Sequence, residues 1–185
     1  MGKRQINHRA VFLDRDGVIN RAFVRDGKPY PARNKNEFEI LSGVSKACAM
    51  LKKEGYAIVV ATNQPDVGRG TLLQRDVEEI HSLLCQQLPI DHIEVCYHPG
   101  RGLSNCDCRK PRPGMLLKSA RDLDLDLKHS WMVGDRWSDV ECGQAAGCRT
   151  ILIGKGYNEI SKVVPDFQVN NLQEAVTIIL NLSKL

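Results

Sequence analysis

Five short, largely apolar stretches recur along the chain, and the first four each lead toward polar or charged residues. Residues 10–13 meet Asp14-Arg15-Asp16-Gly17, 57–61 meet Thr62-Asn63-Gln64, 93–96 lead to His98, and 131–133 meet Gly134-Asp135; the fifth run is 150–153. Runs of this length bounded by turn residues predict strands buried on both faces, as in a parallel sheet. Between them the pattern turns helical. Val44, Ala47, Cys48 and Leu51 fall at i, i+3, i+4 and i+7, and Lys52, Lys53 and Gly55 suit a helix end. Val77, Ile80, Leu84 and Leu88 form a second stripe that Pro89 closes. Leu116, Ala120 and Leu123 form a third after Pro113. Residues 140–147 read as a short helix ended by glycine, and Leu172, Ala175, Val176 and Ile179 as a terminal helix. Strands alternating with helices predict an α/β fold with a doubly wound parallel sheet. The 185 residues suit one domain, 1–185, with no repeat, low-complexity tract or shift of composition to divide it.

Composition excludes several classes. The net charge of +4 comes from scattered basic residues, so neither nucleic acid nor a membrane surface is the expected partner. No apolar run approaches the roughly 20 residues of a bilayer span. The polar stretch 1–9 lacks a secretory apolar segment, which predicts a cytoplasmic protein. Seven cysteines, an odd number, argue against a disulfide framework. Cys48, Cys85, Cys142 and Cys148 stand among apolar or small residues and read as small buried hydrophobes. His8, His81, His92 and His129 read as ordinary surface or packing residues. Nothing marks a dimer surface, so a monomer is expected.

In a parallel sheet all strand carboxyl ends lie at one edge, where ligands bind. That edge would gather Asp14, Asp16, Thr62, Asn63, Asp135 and Asp139, with Arg109 and Lys110 arriving just beyond the third run. Paired carboxylates perturb each other and suit a cation or a shared proton. Hard carboxylate oxygens suit magnesium, and the hydroxyl, amide and cations suit a phosphoryl group. Asp-x-Asp-Gly alone would also serve as a plain turn. The stretch 21–39, with Gly27, Pro29, Pro31 and the bases Arg21, Arg25, Lys28, Arg33 and Lys35, reads as a long irregular loop beside the carboxylates. Cys96-x-His98, seven residues, then Cys106-x-Cys108 supplies four soft or borderline ligands within thirteen residues, the number of a closed structural zinc site.

Asp14-Arg15-Asp16-Gly17, Thr62-Asn63-Gln64, Lys110 and Gly134-Asp135-x-x-x-Asp139, in this order, resemble the four motifs of the haloacid dehalogenase (HAD) superfamily phosphatases. The cysteine loop and Cys106-Asp107-Cys108-Arg109-Lys110-Pro111 narrow the resemblance to the zinc-loop group. That group comprises the heptose-bisphosphate and the histidinol-phosphate phosphatases. Asp16-Gly-Val-Ile-Asn20, the basic loop after it and Pro113-Gly-Met-Leu-Leu117 lean toward the heptose side. The resemblance implies a capless HAD-like core, with only the 21–39 stretch as room for a small lid. It implies Asp14 as nucleophile, Asp16 as general acid and base, and Thr62 and Lys110 as catalytic phosphate-binding groups. Magnesium would rest on Asp14, Asp16 and Asp135 with Asp139 behind them, and structural zinc on Cys96, His98, Cys106 and Cys108. The sugar phosphate would meet Ala22, Phe23, Val24, Arg25, Thr62, Asn63, Gln64, Pro65, Arg109, Lys110 and Arg136. A phospho-acceptor signalling module, or a zinc-stabilised binding protein without turnover, is the alternative of another class. Asp16 beside the nucleophile weighs against the signalling module.

Overall fold

A strand with four apolar residues in succession has no side to give to water, and Ala10, Val11, Phe12 and Leu13 are all fully buried. This strand, β1 (Ala10–Leu13), is central to a six-stranded sheet in a computed structural model that describes residues 8–100, 105–155, 157 and 163–183. The other strands of that sheet are β4 (Ala57–Asn63), β5 (His92–Cys96), β6 (Trp131–Gly134), β7 (Arg149–Ile153) and β8 (Phe167–Val169). The order is β5-β4-β1-β6-β7-β8, with every neighbouring pair parallel. The helices are α1 (Val44–Lys53), α2 (Pro65–Gly68), α3 (Gln74–Gln87), α4 (Gly114–Asp122), α5 (Trp137–Ala146) and α6 (Leu172–Leu182).

Alternate residues of β1 feed the two sides of the sheet. Val11 and Leu13 pack with Val44, Ala47 and Leu51 of α1, Leu84 of α3, and Ala175, Val176 and Ile179 of α6. Ala10 and Phe12 pack with Met115 and Leu116 of α4 and Cys142 of α5. Truncating Phe12 to alanine in such a double-sided core costs about 3–5 kcal/mol. From β1 the chain runs outward to β4 and β5, then returns to β6 on the other side of β1 and continues to β7 and β8. The reversal leaves the carboxyl ends of β1 and β6 side by side, the crevice where doubly wound sheets bind ligands. Among the described residues no helix is long and apolar enough to cross a membrane.

Several expectations change in detail. The 21–39 stretch is not wholly irregular: β2 (Phe23–Arg25) and β3 (Lys28–Tyr30) pair as an antiparallel hairpin. Its two turn residues, Asp26 and Gly27, have φ of 50° and 70°. Asp-Gly is the pair that a type I′ hairpin turn favours, and Pro29 and Pro31 masked that signal. The edge strand β8 has only three residues, too few to show a period. The turn after Gln64 contains α2, a single helical turn, and α5 begins at Trp137, three residues before the apolar pattern. Cys85 is exposed rather than buried, because α3 turns Val77, Ile80, His81 and Leu84 inward and Cys85 outward.

Candidate active site

The sheet register builds the site. Leu13 pairs with Val133, and the Asp14 N–H donates to the Val133 carbonyl at 3.0 Å, so the ladder runs one residue past the strand. Asp14 and Asp135 thus emerge at neighbouring strand ends. Gly17, at φ 95°, lets them converge: a Cβ there would lie 1.8 Å from Asp135 Oδ2. Asp139, in the first turn of α5, accepts from the Arg136 N–H at 3.0 Å through Oδ2. Carboxylate oxygens of Asp14, Asp135 and Asp139 all lie within 4.8 Å of one another.

Lys110 is the counter-charge. Its ammonium sits 2.7 Å from Asp14 Oδ1, 2.6 Å from Asp139 Oδ1 and 2.7 Å from the Ala61 carbonyl. An ammonium has three protons, so all are engaged within the protein. Burial opposes the Lys110 charge, yet Asp139 and Asp14 hold its pKa above the ordinary lysine value. Burial also lifts Asp14 to about 6, against the pull of Lys110. Asp135 lies well above the carboxylate range through burial and the charges of Asp14 and Asp139, against the Tyr157 hydroxyl that donates to its Oδ2 at 2.6 Å. Asp135 Oδ1 is buried without a hydrogen-bond partner among the described residues. An orphaned carboxylate oxygen among clustered carboxylates fits a hard divalent cation.

Asp16 points elsewhere. Its carboxylate accepts from Gln64 Nε2 at 2.8 Å, Asn20 Nδ2 at 3.0 Å and the Arg15 guanidinium at 2.9 Å. Gln64 is buried and also donates to Thr62 Oγ1 at 3.0 Å, so its amide bridges Asp16 and Thr62. Asn63, expected to face a phosphate, instead grips the Lys110 backbone: Nδ2 donates to its carbonyl and Oδ1 accepts from its N–H, both at 3.1 Å. A side-chain amide matches a peptide unit in donor and acceptor, which favours this pairing. Pro65 opens α2. Ala22 and the β2 residues Phe23, Val24 and Arg25 follow the site on the hairpin; Arg25 lies over the Tyr30 ring and Arg21 pairs with Glu39, both exposed.

Arg109 is half-buried and packs against Gly100, with Nη1 buried and lacking a hydrogen-bond partner among the described residues. Burial lowers its pKa, and the charges of Arg69 and Arg136 add to the shift. The residues missed from sequence are Arg15, Arg69, Tyr157 and His81. Arg15 is a charge between two acids at the end of a wholly buried strand, and that was a usable signal. His81 is not an ordinary packing histidine: it lies buried on the apolar stripe of α3 with its ring nitrogen 3.0 Å from Arg15 Nη1.

A second cluster lies at the end of β5. Cys96 Sγ is 3.8 Å from Cys106 Sγ and 3.4 Å from His98 Nδ1, and Cys108 Sγ is 3.2 Å from the same nitrogen. All four ligand atoms fall within 4.8 Å of one another. A tetrahedral zinc with bonds of about 2.3 Å to sulfur needs sulfur atoms about 3.8 Å apart. A disulfide would need about 2.05 Å. The thiols are free, and the set fits zinc.

This fold, with a carboxylate–lysine cluster at the strand reversal, defines a phosphatase of the HAD type. Residues 107–175 match the HAD-hydrolase-like family. The D-glycero-beta-D-manno-heptose-1,7-bisphosphate 7-phosphatase of Escherichia coli (strain K12) is 38% identical over 179 residues, covering 89% of this chain and 90% of the relative. The D-glycero-D-manno-heptose-1,7-bisphosphate 7-phosphatase of Chlorobaculum tepidum is 34% identical over 189 residues, covering 91% and 92%. Among solved structures, the D,D-heptose 1,7-bisphosphate phosphatase of B. bronchiseptica, complexed with magnesium and phosphate, superposes with a TM-score of 0.80 at 30% identity. It covers 94% of this chain and 99% of its own. The chain belongs to the HAD-like phosphatase family that contains these heptose-bisphosphate enzymes, and it hydrolyses a phosphate ester.

Proposed function

We propose that this protein removes the 7-phosphate from D-glycero-D-manno-heptose 1,7-bisphosphate and leaves the 1-phosphate in place, a step toward nucleotide-activated heptose. The observation that carries the choice of a bisphosphate is Arg109. It has a buried guanidinium nitrogen with no hydrogen-bond partner among the described residues, and the charges of Arg69 and Arg136 lie close by. A cationic cluster with an unused donor is matched by a second phosphate held through paired hydrogen bonds. Histidinol phosphate ends in an amine and an imidazole, which such a cluster repels.

Asp14 attacks phosphorus, the bond from phosphorus to the sugar oxygen breaks, and an aspartyl phosphate forms. Asp16 gives its proton to the leaving oxygen, then takes one from the water that releases phosphate. Lys110, its protons engaged by Asp14, Asp139 and the Ala61 carbonyl, holds the nucleophile in place and offsets charge beside the phosphoryl group, and the Thr62 hydroxyl faces the phosphoryl oxygens. Asp14, Asp135 and the Asp16 backbone carbonyl would hold magnesium, which when bound offsets repulsion between nucleophile and phosphate. Cys96, His98, Cys106 and Cys108 would hold a structural zinc with four protein ligands, which would order the segment leading to Arg109 and Lys110 and supply no catalytic chemistry. Residues 1–185 act as one domain in a monomeric, cytoplasmic enzyme whose partner is a sugar phosphate, with neither nucleic acid nor membrane as a partner. The continuous six-stranded sheet, which draws strands from residues 10–169, supports the domain reading.

Turnover of both heptose 1,7-bisphosphate anomers and of histidinol phosphate on one preparation tests the assignment, with heptose expected to lead. Arg109→Ala should raise KM for the bisphosphate about 10-fold or more, the value of a charged hydrogen bond. Its activity on a small monophosphate should stay near wild type. Faster turnover of histidinol phosphate, or equal losses on both substrates, would reverse the reading.

A further inference from the structure

Arg15 has no exposed surface, and a buried guanidinium requires partners for its donors. Its Nη2 lies 2.9 Å from Asp16 Oδ2 and 3.2 Å from Oδ1, and Nε lies 3.2 Å from Oδ2. Its Nη1 is turned the other way, 3.0 Å from His81 Nε2. Arginine has no acceptor, so the His81 Nε2 lone pair accepts and the ring proton resides on Nδ1. His81 is itself 9% exposed and fixed on the inner face of α3 between Val77, Ile80 and Leu84. The ring therefore connects a rigid helix to the guanidinium, and the guanidinium to the Asp16 carboxylate.

We infer that His81 is a positioning residue for Asp16, acting through Arg15 to hold the carboxylate where it can serve the leaving oxygen. The inference rests on the reading of Asp16 as general acid and base. Asn20 and Gln64 each bond one Asp16 oxygen, whereas the Arg15 fork reaches both, alone in this among the described residues. A fork on a long side chain holds its partner more firmly when its far nitrogen is bonded as well, and His81 supplies that bond. Burial and the Arg15 charge lower the His81 pKa to about 4, so the ring stays neutral and able to accept at ordinary pH. A buried acceptor serving one guanidinium nitrogen would otherwise be a matter of stability alone, and the two roles separate by leaving group. A poor alkoxide leaving group needs the proton of Asp16, whereas p-nitrophenolate departs without it.

The test measures kcat/KM for a sugar phosphate and for p-nitrophenyl phosphate in wild type, His81→Leu, His81→Asn, His81→Gln and Asp16→Asn. Loss of the anchor should lower the value on the sugar phosphate by about 10- to 100-fold and on the aryl ester by less than about 3-fold, as when a supporting residue behind a catalytic group is removed. His81→Gln, whose amide oxygen reaches Arg15, should restore most of the loss, while the shorter Asn should not. If His81→Leu does not fold, the contrast of Asn with Gln gives the same reading. Equal losses on both esters, or no rescue by Gln, would overturn the positioning role while Asp16→Asn still showed the leaving-group effect. Absence of that effect in Asp16→Asn would overturn the general-acid reading and the inference with it.

Discussion

The two polar clusters stand on opposite terms with the fold. Asp14 and Lys110 meet across 96 residues of sequence, and the sheet register brings them together. Cys96, His98, Cys106 and Cys108 meet within thirteen residues of one loop. The carboxylate cluster contains its own cation, Lys110, bonded to Asp14 and Asp139. The thiol cluster has none among its ligands. Burial raises Cys96, and Cys108 lies far above the ordinary thiol value from burial and the neighbouring cysteines. Against the cost of burial, Cys106 alone of the three is lowered, through hydrogen bonds from its neighbours, and a bound metal would supply the charge that favours the other thiolates. One cluster is therefore assembled by the fold around its own cation. The other has the ligand set of a site that a metal would order.

The sharpest break of this comparison is Asp14→Asn. Turnover should fall on the order of 10⁴-fold or more, since removing the nucleophile of a covalent mechanism leaves only residual catalysis. Circular dichroism and the melting temperature should stay near wild type, because the substitution removes a buried charge. Retained turnover would sink the covalent scheme.

Metal removal comes next, and the two clusters should respond oppositely. Elemental analysis is expected to find about one zinc per chain, from the four-ligand count. Stripping zinc, or Cys106→Ser, should cost several kcal/mol, read as a melting temperature lower by about 10 °C. Activity should fail too, as Arg109 and Lys110 leave their places. Magnesium removal should abolish activity while shifting stability by only about 1 kcal/mol. An active, equally stable zinc-free protein would erase the distinction.

Lys110→Met tests charge compensation directly. Leaving Asp14 and Asp139 buried without their cation should cost about 3–5 kcal/mol. Adding Asp139→Asn should recover part of that loss, measured by denaturant unfolding. A double variant no more stable than the single would show that Lys110 contributes packing and not charge.

The smallest effect concerns the support behind Asp16. His81 titrates near 4 in the fold against about 6.5 unfolded, so the unfolded chain binds more protons between those values. Stability from this group is complete above pH 6.5 and declines as pH falls toward 4, by about 3 kcal/mol in all. His81→Gln has no such proton, so its stability should fall less than that of wild type across the same window. Parallel curves would place the histidine outside the buried network.

Legibility in the sequence followed distance along the chain. Buried strands showed as apolar runs, helices as stripes, and the zinc-type ligand set as a spacing, because each depends on neighbours a few residues away. The acidic strand ends were equally plain at Asp14 and Asp135. The hairpin β2–β3 was hidden by its prolines, and β8 by its brevity. Asn63 looked like a phosphate contact because its position marks a strand end. That its amide would instead match the Lys110 peptide depends on where an unrelated loop passes.

By itself the sequence determined the α/β class, the strand ends that carry acids, the cysteine ligands and the family resemblance, since local pattern and covalent order set all of these. Only the tertiary structure decided which groups share a proton, a charge or a bond: Lys110 between Asp14 and Asp139, Tyr157 on Asp135, and His81 behind Arg15. Contacts of this kind arise from packing elements far apart in sequence, where one residue of register at β1 and β6 moves a carboxylate from the site to the opposite face of the sheet.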